Sequence, residues 1–296
     1  MDFKPITLEQ KELFNSYLKG RRYETPVFTF TSLFIWKDWD PLSWDEIEGA
    51  LCVKSGYHGW DAVLPPISGD DKSVLAATEA LIDWYKQRNL PFLMAEACDL
   101  MVEFFERTWP GRFIVREYPE GANYIYRQED LANLPGKNYA KKRNHISQLE
   151  RLYPQYKFLP LTADLVPNAI GQLKSWSRDH DMTNPDLAAE QRGVMLALEN
   201  FGKLDYTGAC LVIGDRVEAF ALGEPLNSDT VIIHAEKANR DIPGAYAAIN
   251  SFFARDYWQD YDYINRAEDM GMPGLRKAKL SWHPDHMEKK FHLRLK

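Results

Sequence analysis

Apolar positions along the chain change spacing repeatedly, and each change marks an element. Val74, Thr78, Leu81 and Tyr85, flanked by Leu75 and Ile82, recur at three- and four-residue intervals and predict a helix from about Asp71 to Arg88. Thr7-x-x-Gln10 has the form of a capping box ahead of Leu13, Phe14, Tyr17 and Leu18, which predicts an opening helix. An aromatic segment, Phe28 to Trp36, follows. Short apolar runs predict strands near Leu51 to Lys54, Trp60 to Leu64 and Pro91 to Ala95, with a helix around Leu100 to Arg107. Two further strands, Arg112 to Tyr118 and Ala122 to Arg127, flank Glu120-Gly121 and read as a hairpin.

Leu131-Ala-Asn-Leu-Pro-Gly136 has the composition of a linker. Beyond it, helices are predicted at Tyr139 to Leu152, Asp164 to Asp179 and Pro185 to Phe201, where Val194, Leu198 and Phe201 form a core face. Strands follow at Tyr206 to Ile213, Val217 to Gly223 and Asp229 to Glu236, the first two joined by the turn dipeptide Gly214-Asp215. A helix from Ala245 to Trp258 and strands at Tyr261 to Asn265 and Lys289 to Leu295 close the chain. Each half thus runs through helices, an antiparallel meander, a helix, a strand, a helical segment and a final strand. The expectation is two α/β (α+β) domains of one architecture, residues 1–133 and 134–296.

A chain of 296 residues is long enough for two such cores. Its formal charge of −7 repels nucleic acid and anionic lipid, so affinity for either requires a local basic patch. Cys52, Cys98 and Cys210 lack CxxC spacing and read as buried thiols of a reducing compartment. Charged residues interrupt the opening segment, and no run approaches the ~20 apolar residues of a membrane span. A soluble cytoplasmic protein is expected.

Candidate chemistry gathers around Asp229 to Tyr257, a strand that passes through Arg240-Asp-Ile-Pro-Gly-Ala245 into a helix. The amides of Gly244 and Ala245 at a helix start, with Lys237 and Arg240, form a candidate anion cradle. The other reading is a Pro-Gly turn that merely starts a packed helix. At period two, Ile232, His234 and Glu236 share a strand face, which makes His234 and Glu236 candidate proton-transfer groups. Asn265, Arg266, Glu268 and Asp269 follow the next strand, where paired carboxylates can hold an amino group or cap the helix around Pro273. Lys137, Lys141, Lys142, Arg143 and Arg151 are offset only by Glu150, and Arg276, Lys277 and Lys279 add a second basic group. These suit tRNA, a phospholipid headgroup or the phosphates of coenzyme A, or else form solvated helix faces. His283-x-x-His286 carries an intervening Pro284 and no third ligand, so no metal is expected; His58, His145, His180 and His292 are isolated.

The segment Tyr206 to Tyr257 resembles the donor-binding half of the GNAT acyltransferase superfamily. More specifically, Leu134-Pro-Gly-Lys-Asn-Tyr-Ala-Lys-Lys-Arg-Asn-His145 and Ile264-Asn-Arg-Ala-Glu-Asp-Met-Gly-Met-Pro-Gly-Leu-Arg-Lys-Ala-Lys-Leu280 resemble the phosphatidylglycerol lysyltransferase C-terminal domain family, as does Phe30 to Trp36. That likeness implies two GNAT-like domains in tandem, related to Fem-type aminoacyltransferases, each a mixed, mostly antiparallel sheet flanked by helices. It implies transfer of an acyl or aminoacyl group from acyl-CoA or aminoacyl-tRNA to an amine or hydroxyl, with no tightly bound cofactor and with peripheral membrane contact open. The GNAT donor loop, Arg/Gln-x-x-Gly-x-Gly/Ala, has Arg240, Pro243 and Ala245 at its three fixed places here, and proline offers a pyrophosphate no N–H. The other class of function is a non-catalytic GNAT-fold protein that binds a ligand or partner.

Overall fold

The structure is a computed structural model that describes residues 1–18, 23–39, 41–56, 59 and 61–296. His58 and the Trp60 start of one expected strand lie outside the described residues. The chain divides into two compact units, one of residues 1–122 and 288–296, the other of residues 123–287. The division falls at Ala122/Asn123 rather than at 133/134, and the last residues return to the first unit.

The first unit carries a seven-stranded sheet. Its strands are β1 (Lys4–Pro5), β2 (Ser43–Ile47), β3 (Ala50–Ser55), β4 (Ala62–Val63), β5 (Leu93–Ala97), β6 (Phe113–Glu117) and, from the chain's end, β14 (Phe291–Leu295). The helices are α1 (Lys11–Leu18), α2 (Phe30–Trp36), α3 (Asp71–Gln87) and α4 (Asp99–Thr108). Asp70 caps α3 by accepting from Lys72 and Ser73 N–H, and Leu81, Ile82 and Tyr85 bury the face that periodicity predicts. The aromatic segment is α2, started by Thr29 accepting from Ser32 N–H.

The second unit carries β7 (Asn123–Arg127), β8 (Lys157–Pro160), β9 (Thr207–Ile213), β10 (Arg216–Pro225), β11 (Thr230–Ala238), β12 (Tyr263–Asn265) and β13 (His286–Glu288), in the order β13-β7-β12-β11-β10-β9-β8. Its helices are α5 (Gln128–Asn133), α6 (Ala140–Leu152), α7 (Val166–Arg178), α8 (Pro185–Glu199), α9 (Ala245–Tyr257) and α10 (Pro273–Leu280). Gly214-Asp215 makes the expected two-residue turn, with Gly214 at φ +61. The helix α9 is apolar on nearly every side and seals the core through Ile249, Phe252 and Phe253, each contributing about 1.5–3 kcal/mol on burial.

The two sheets match strand for strand. Each runs through an antiparallel series, β1 to β4 or β8 to β11, then a parallel neighbour, β5 or β12. Each next receives an antiparallel strand from the other half of the sequence, β14 beside β5 and β7 beside β12. Arg112 to Arg127 is therefore no hairpin: β6 pairs with β14, while β7 pairs with β12. Burial explains the parting. In β7, Asn123 to Tyr126 are buried on both faces, as a central strand requires, whereas β6 is mostly exposed. Between them Pro119–Gly121 forms a 3₁₀ turn. Leu131 and Leu134 likewise belong to the second unit's core, so the expected linker is anchored there at these two residues, while Asn133, Pro135 and Gly136 are exposed.

Candidate functional site

The second sheet opens between β11 and β12. These strands pair only over Thr230–Ile232 with Tyr263–Asn265, and β11 then continues to Ala238 with β10 as its ladder partner. A bulge lies on the open stretch: Leu222 pairs with Ala235 and Gly223 with Ile233, leaving His234 as the extra residue. The bulge reverses the alternation. Glu236 pairs across to Ala221 and reaches Asn250 on α9, whereas His234 Nε2 lies 2.9 Å from Glu224 Oε1 on the opposite face. The expected shared face of Ile232, His234 and Glu236 is corrected by that one inserted residue. His234 has a side chain only 3% exposed while the residue as a whole is partly exposed, so its main chain is what meets solvent.

Glu236 is the centre of the opening. Its Oε1 accepts from Asn250 Nδ2 at 3.0 Å and its Oε2 accepts from Arg266 Nη2. Arg266 leaves the end of β12 and lies 5.4 Å from the ring centroids of both Tyr126 and Trp282. Burial works against its charge, but the Glu236 carboxylate outweighs this and holds the guanidinium protonated. Two buried polar atoms here lack a partner: Asn250 Oδ1 and Arg266 Nη1.

Three lysines behave differently. Lys142 Nζ donates to Ser281 Oγ at 2.7 Å and sits 4.2 Å above the Trp282 ring. Burial, then repulsion from Arg266 and Lys141, pushes it down to about 8. Lys279, also pushed down to about 8 by burial and by Arg266, donates to the Arg266 and Ala267 carbonyls and holds the β12 exit in place. Glu268 acts on Lys279 through its charge. Lys237 faces away from the opening, 2.6 Å from Glu190 and 3.6 Å above Trp176, where it ties α7 and α8 to the sheet.

Asn265, Asp269, Arg276 and Arg143 have structural partners. Asn265 Oδ1 accepts from Ala267 N–H at 2.6 Å and turns the chain out of β12. Asp269 is buried and accepts from Tyr124, Gly271 N–H and Arg276. Burial raises its pKa, but these bonds outweigh that and hold it below the usual carboxylate range, which suits a clamp better than a base. Arg143 donates to the carbonyls of Leu134 and Gly136. Lys277 is exposed at the surface of α10.

The loop before α9 is closed on itself. Asn239 accepts Asp241 N–H on its side chain and Ile242 N–H on its carbonyl, and Ile242 accepts Ala245 N–H. Arg240 meets His180. Gly244, at φ +87, lies so close to α6 that a Cβ there would stand 2.1 Å from the His145 carbonyl oxygen. Gly244 thus serves helix packing, and the Ala245 amide of the expected cradle is committed to the Ile242 carbonyl. Gly244→Ala is expected to cost about 2–5 kcal/mol in urea unfolding, from positive φ plus overpacking. Gly274→Ala, with nothing within 4 Å, is the control and is expected to change little.

Sequence reasoning missed Asn250, Tyr126, Ser281 and Trp282. Asn250 carried a signal, because it and Ser251 interrupt an otherwise apolar run in α9. His283 packs edge-on against Tyr139, and His286 pairs with Asp285. No cluster of three or more metal-ligating side chains occurs among the described residues. Cys52, Cys98 and Cys210 are buried and unpaired, each pushed up to about 12 chiefly by burial.

Each unit carries a mixed, mostly antiparallel seven-stranded sheet flanked by helices, and the opening lies where the parallel pair of the second sheet diverges. The chain belongs to the phosphatidylglycerol lysyltransferase C-terminal family, whose model matches residues 21–294. A conserved protein of unknown function from Bacteroides thetaiotaomicron is 33% identical over 100% of both chains, with a TM-score of 0.92. L-PGS from Bacillus licheniformis shares the fold at 13% identity and a TM-score of 0.71, over 99% of this chain and 93% of that one. An uncharacterised protein of Mycoplasmoides gallisepticum is 22% identical over 59% of this chain, and the match spans 56% of that relative's length. Among the described residues, no helix is long and apolar enough to cross a membrane.

Proposed function

We propose that this chain is an aminoacyltransferase that moves an aminoacyl group from the ester end of a charged tRNA to an amine or hydroxyl acceptor. The observation that carries this reading is the Glu236–Arg266 pair in the β11/β12 opening, with Lys142 at its border. The acceptor attacks the ester carbonyl carbon, the ester C–O bond breaks, and the nucleophile's proton ends on the departing ribose oxygen. Arg266, held by Glu236, offers N–H donors to the developing oxyanion.

The basic groups support a nucleic-acid donor. Lys142 and Ser281 link the start of α6 to the segment after α10, so Lys137, Lys141 and Lys277 enrich one region of exposed positive charge. Coenzyme A is less well served, since the Asp241, Ile242 and Ala245 amides are spent within the turn and Pro243 has none. The test is transfer from radiolabelled aminoacyl-tRNA pools to an acceptor panel, with acyl-CoA esters as the competing donor. Binding of charged tRNA is expected to weaken steeply with salt. Selective use of acyl-CoA, with charged tRNA ignored, sinks the proposal.

Lys142 gives this reading a pH signature. A lysine depressed to about 8 is a cation below that pH and is neutral above it. The kcat/KM for charged tRNA is therefore expected to fall as pH rises through about 8. Lys142→Arg keeps its charge and should move that limb to higher pH. An unaltered profile in the arginine variant would assign the limb to another group.

A further inference from the structure

We infer that Asn250 and Arg266 together recognise an α-amino ester, with Asn250 Oδ1 accepting from the α-ammonium group and Arg266 Nη1 donating to the adjoining carbonyl oxygen. This deepens the aminoacyl-transfer reading and rests on it for the identity of the donor.

The argument begins with an asparagine in an apolar helix. Asn250 is 3% exposed within α9, where an amide is costly unless both of its ends are satisfied. Its Nδ2 donates to Glu236 Oε1, and because a carboxylate only accepts, that bond fixes which end is the oxygen. Oδ1 then remains, buried and without a partner. On the other oxygen of the same carboxylate, Arg266 is bound through Nη2, leaving its buried Nη1 unpaired. Buried polar atoms are rarely left so. Here an orphaned acceptor and an orphaned donor flank one carboxylate on the open stretch of β11.

The complement of that arrangement is a ligand carrying a hydrogen-bond donor and an acceptor close together, with positive charge beside Glu236. An α-aminoacyl ester has both, the ammonium and the carbonyl being separated by one carbon. A simple acyl ester or thioester supplies only the carbonyl and leaves Oδ1 unsatisfied. The pair is therefore a device that distinguishes aminoacyl from acyl donors.

The first experiment compares wild-type transfer from an aminoacyl-tRNA with transfer from the same tRNA bearing the matching desamino acid. A preference of about 10- to 100-fold in kcat/KM for the free amine is expected from one hydrogen bond to a charged group. Asn250→Leu, its fold checked by thermal melting, is expected to bring that ratio towards one. A wild-type enzyme that uses both donors alike overturns the inference and leaves aminoacyl transfer standing. If neither donor is used, aminoacyl transfer from tRNA falls. Calorimetry with amino-acid amides against their desamino counterparts then decides the inference. Binding that depends on the α-amine supports it, and equal or absent binding, as when only water fills the two positions, overturns it.

Discussion

Replacing Arg266 with methionine is expected to lower the unfolding free energy by about 3–5 kcal/mol and to abolish transfer. The cost arises on the partner that remains. Glu236 has a side chain 10% exposed, and without the guanidinium its carboxylate keeps the Asn250 amide as hydrogen-bond donor and the more distant charges of Lys279 and Lys237. A buried charge stripped of its counter-ion is penalised far more than an exposed pair is rewarded. The Arg266→Met, Glu236→Leu double variant should recover most of the stability, because it removes both charges and leaves apolar groups against Tyr126 and Trp282. It should recover none of the activity. Urea unfolding of the two single variants and the double closes the cycle. A single-variant loss below about 1 kcal/mol, the range of an exposed pair, would place Glu236 in water and dissolve the site.

Local rules made most elements legible, and long-range ones did not. The helical spacing of Val74, Leu81 and Tyr85 and the turn at Gly214-Asp215 read correctly because their causes lie within a few residues. The Glu120-Gly121 turn misled because turn chemistry says where a chain bends, not which strand it then joins. What decided the matter was the burial of Asn123 to Tyr126 on both faces, a property of the partners β12 and β13. The same limit applies at the site. Period two put His234 beside Glu236, and a single bulged residue separated them, a device that leaves no mark on an apolar strand. The motif from Ile264 to Leu280 brings Arg266 to the opening beside Glu236, with Lys279 holding the Arg266 and Ala267 carbonyls. Asp269 was recruited to hold the loop, since three hydrogen-bond donors surround it.

Two fragments of the chain separate these accounts of its organisation. Residues 123–287 are expected to fold alone, with a cooperative melt and native near-ultraviolet dichroism, because they form a continuous segment containing one whole unit. Residues 134–296, bounded where Pro135-Gly136 suggests a linker, are expected to be unfolded or insoluble. That fragment lacks β7, the strand between β12 and β13, and with it Tyr124, Ile125 and Tyr126, all at most 3% exposed. At about 1.5–3 kcal/mol for each buried apolar side chain, these three losses alone approach the 5–15 kcal/mol that stabilises a typical domain. The exposed edge of β12 adds unpaired backbone groups beside the site. The fragment also keeps β14, which in the intact chain pairs with β5 and β6 and has no ladder to join here. Arg266 would lose the Tyr126 ring at its side, so even a partly folded 134–296 fragment should bind charged tRNA less well than 123–287. Equal melting temperatures for the two fragments would show that β7 is dispensable to the second sheet.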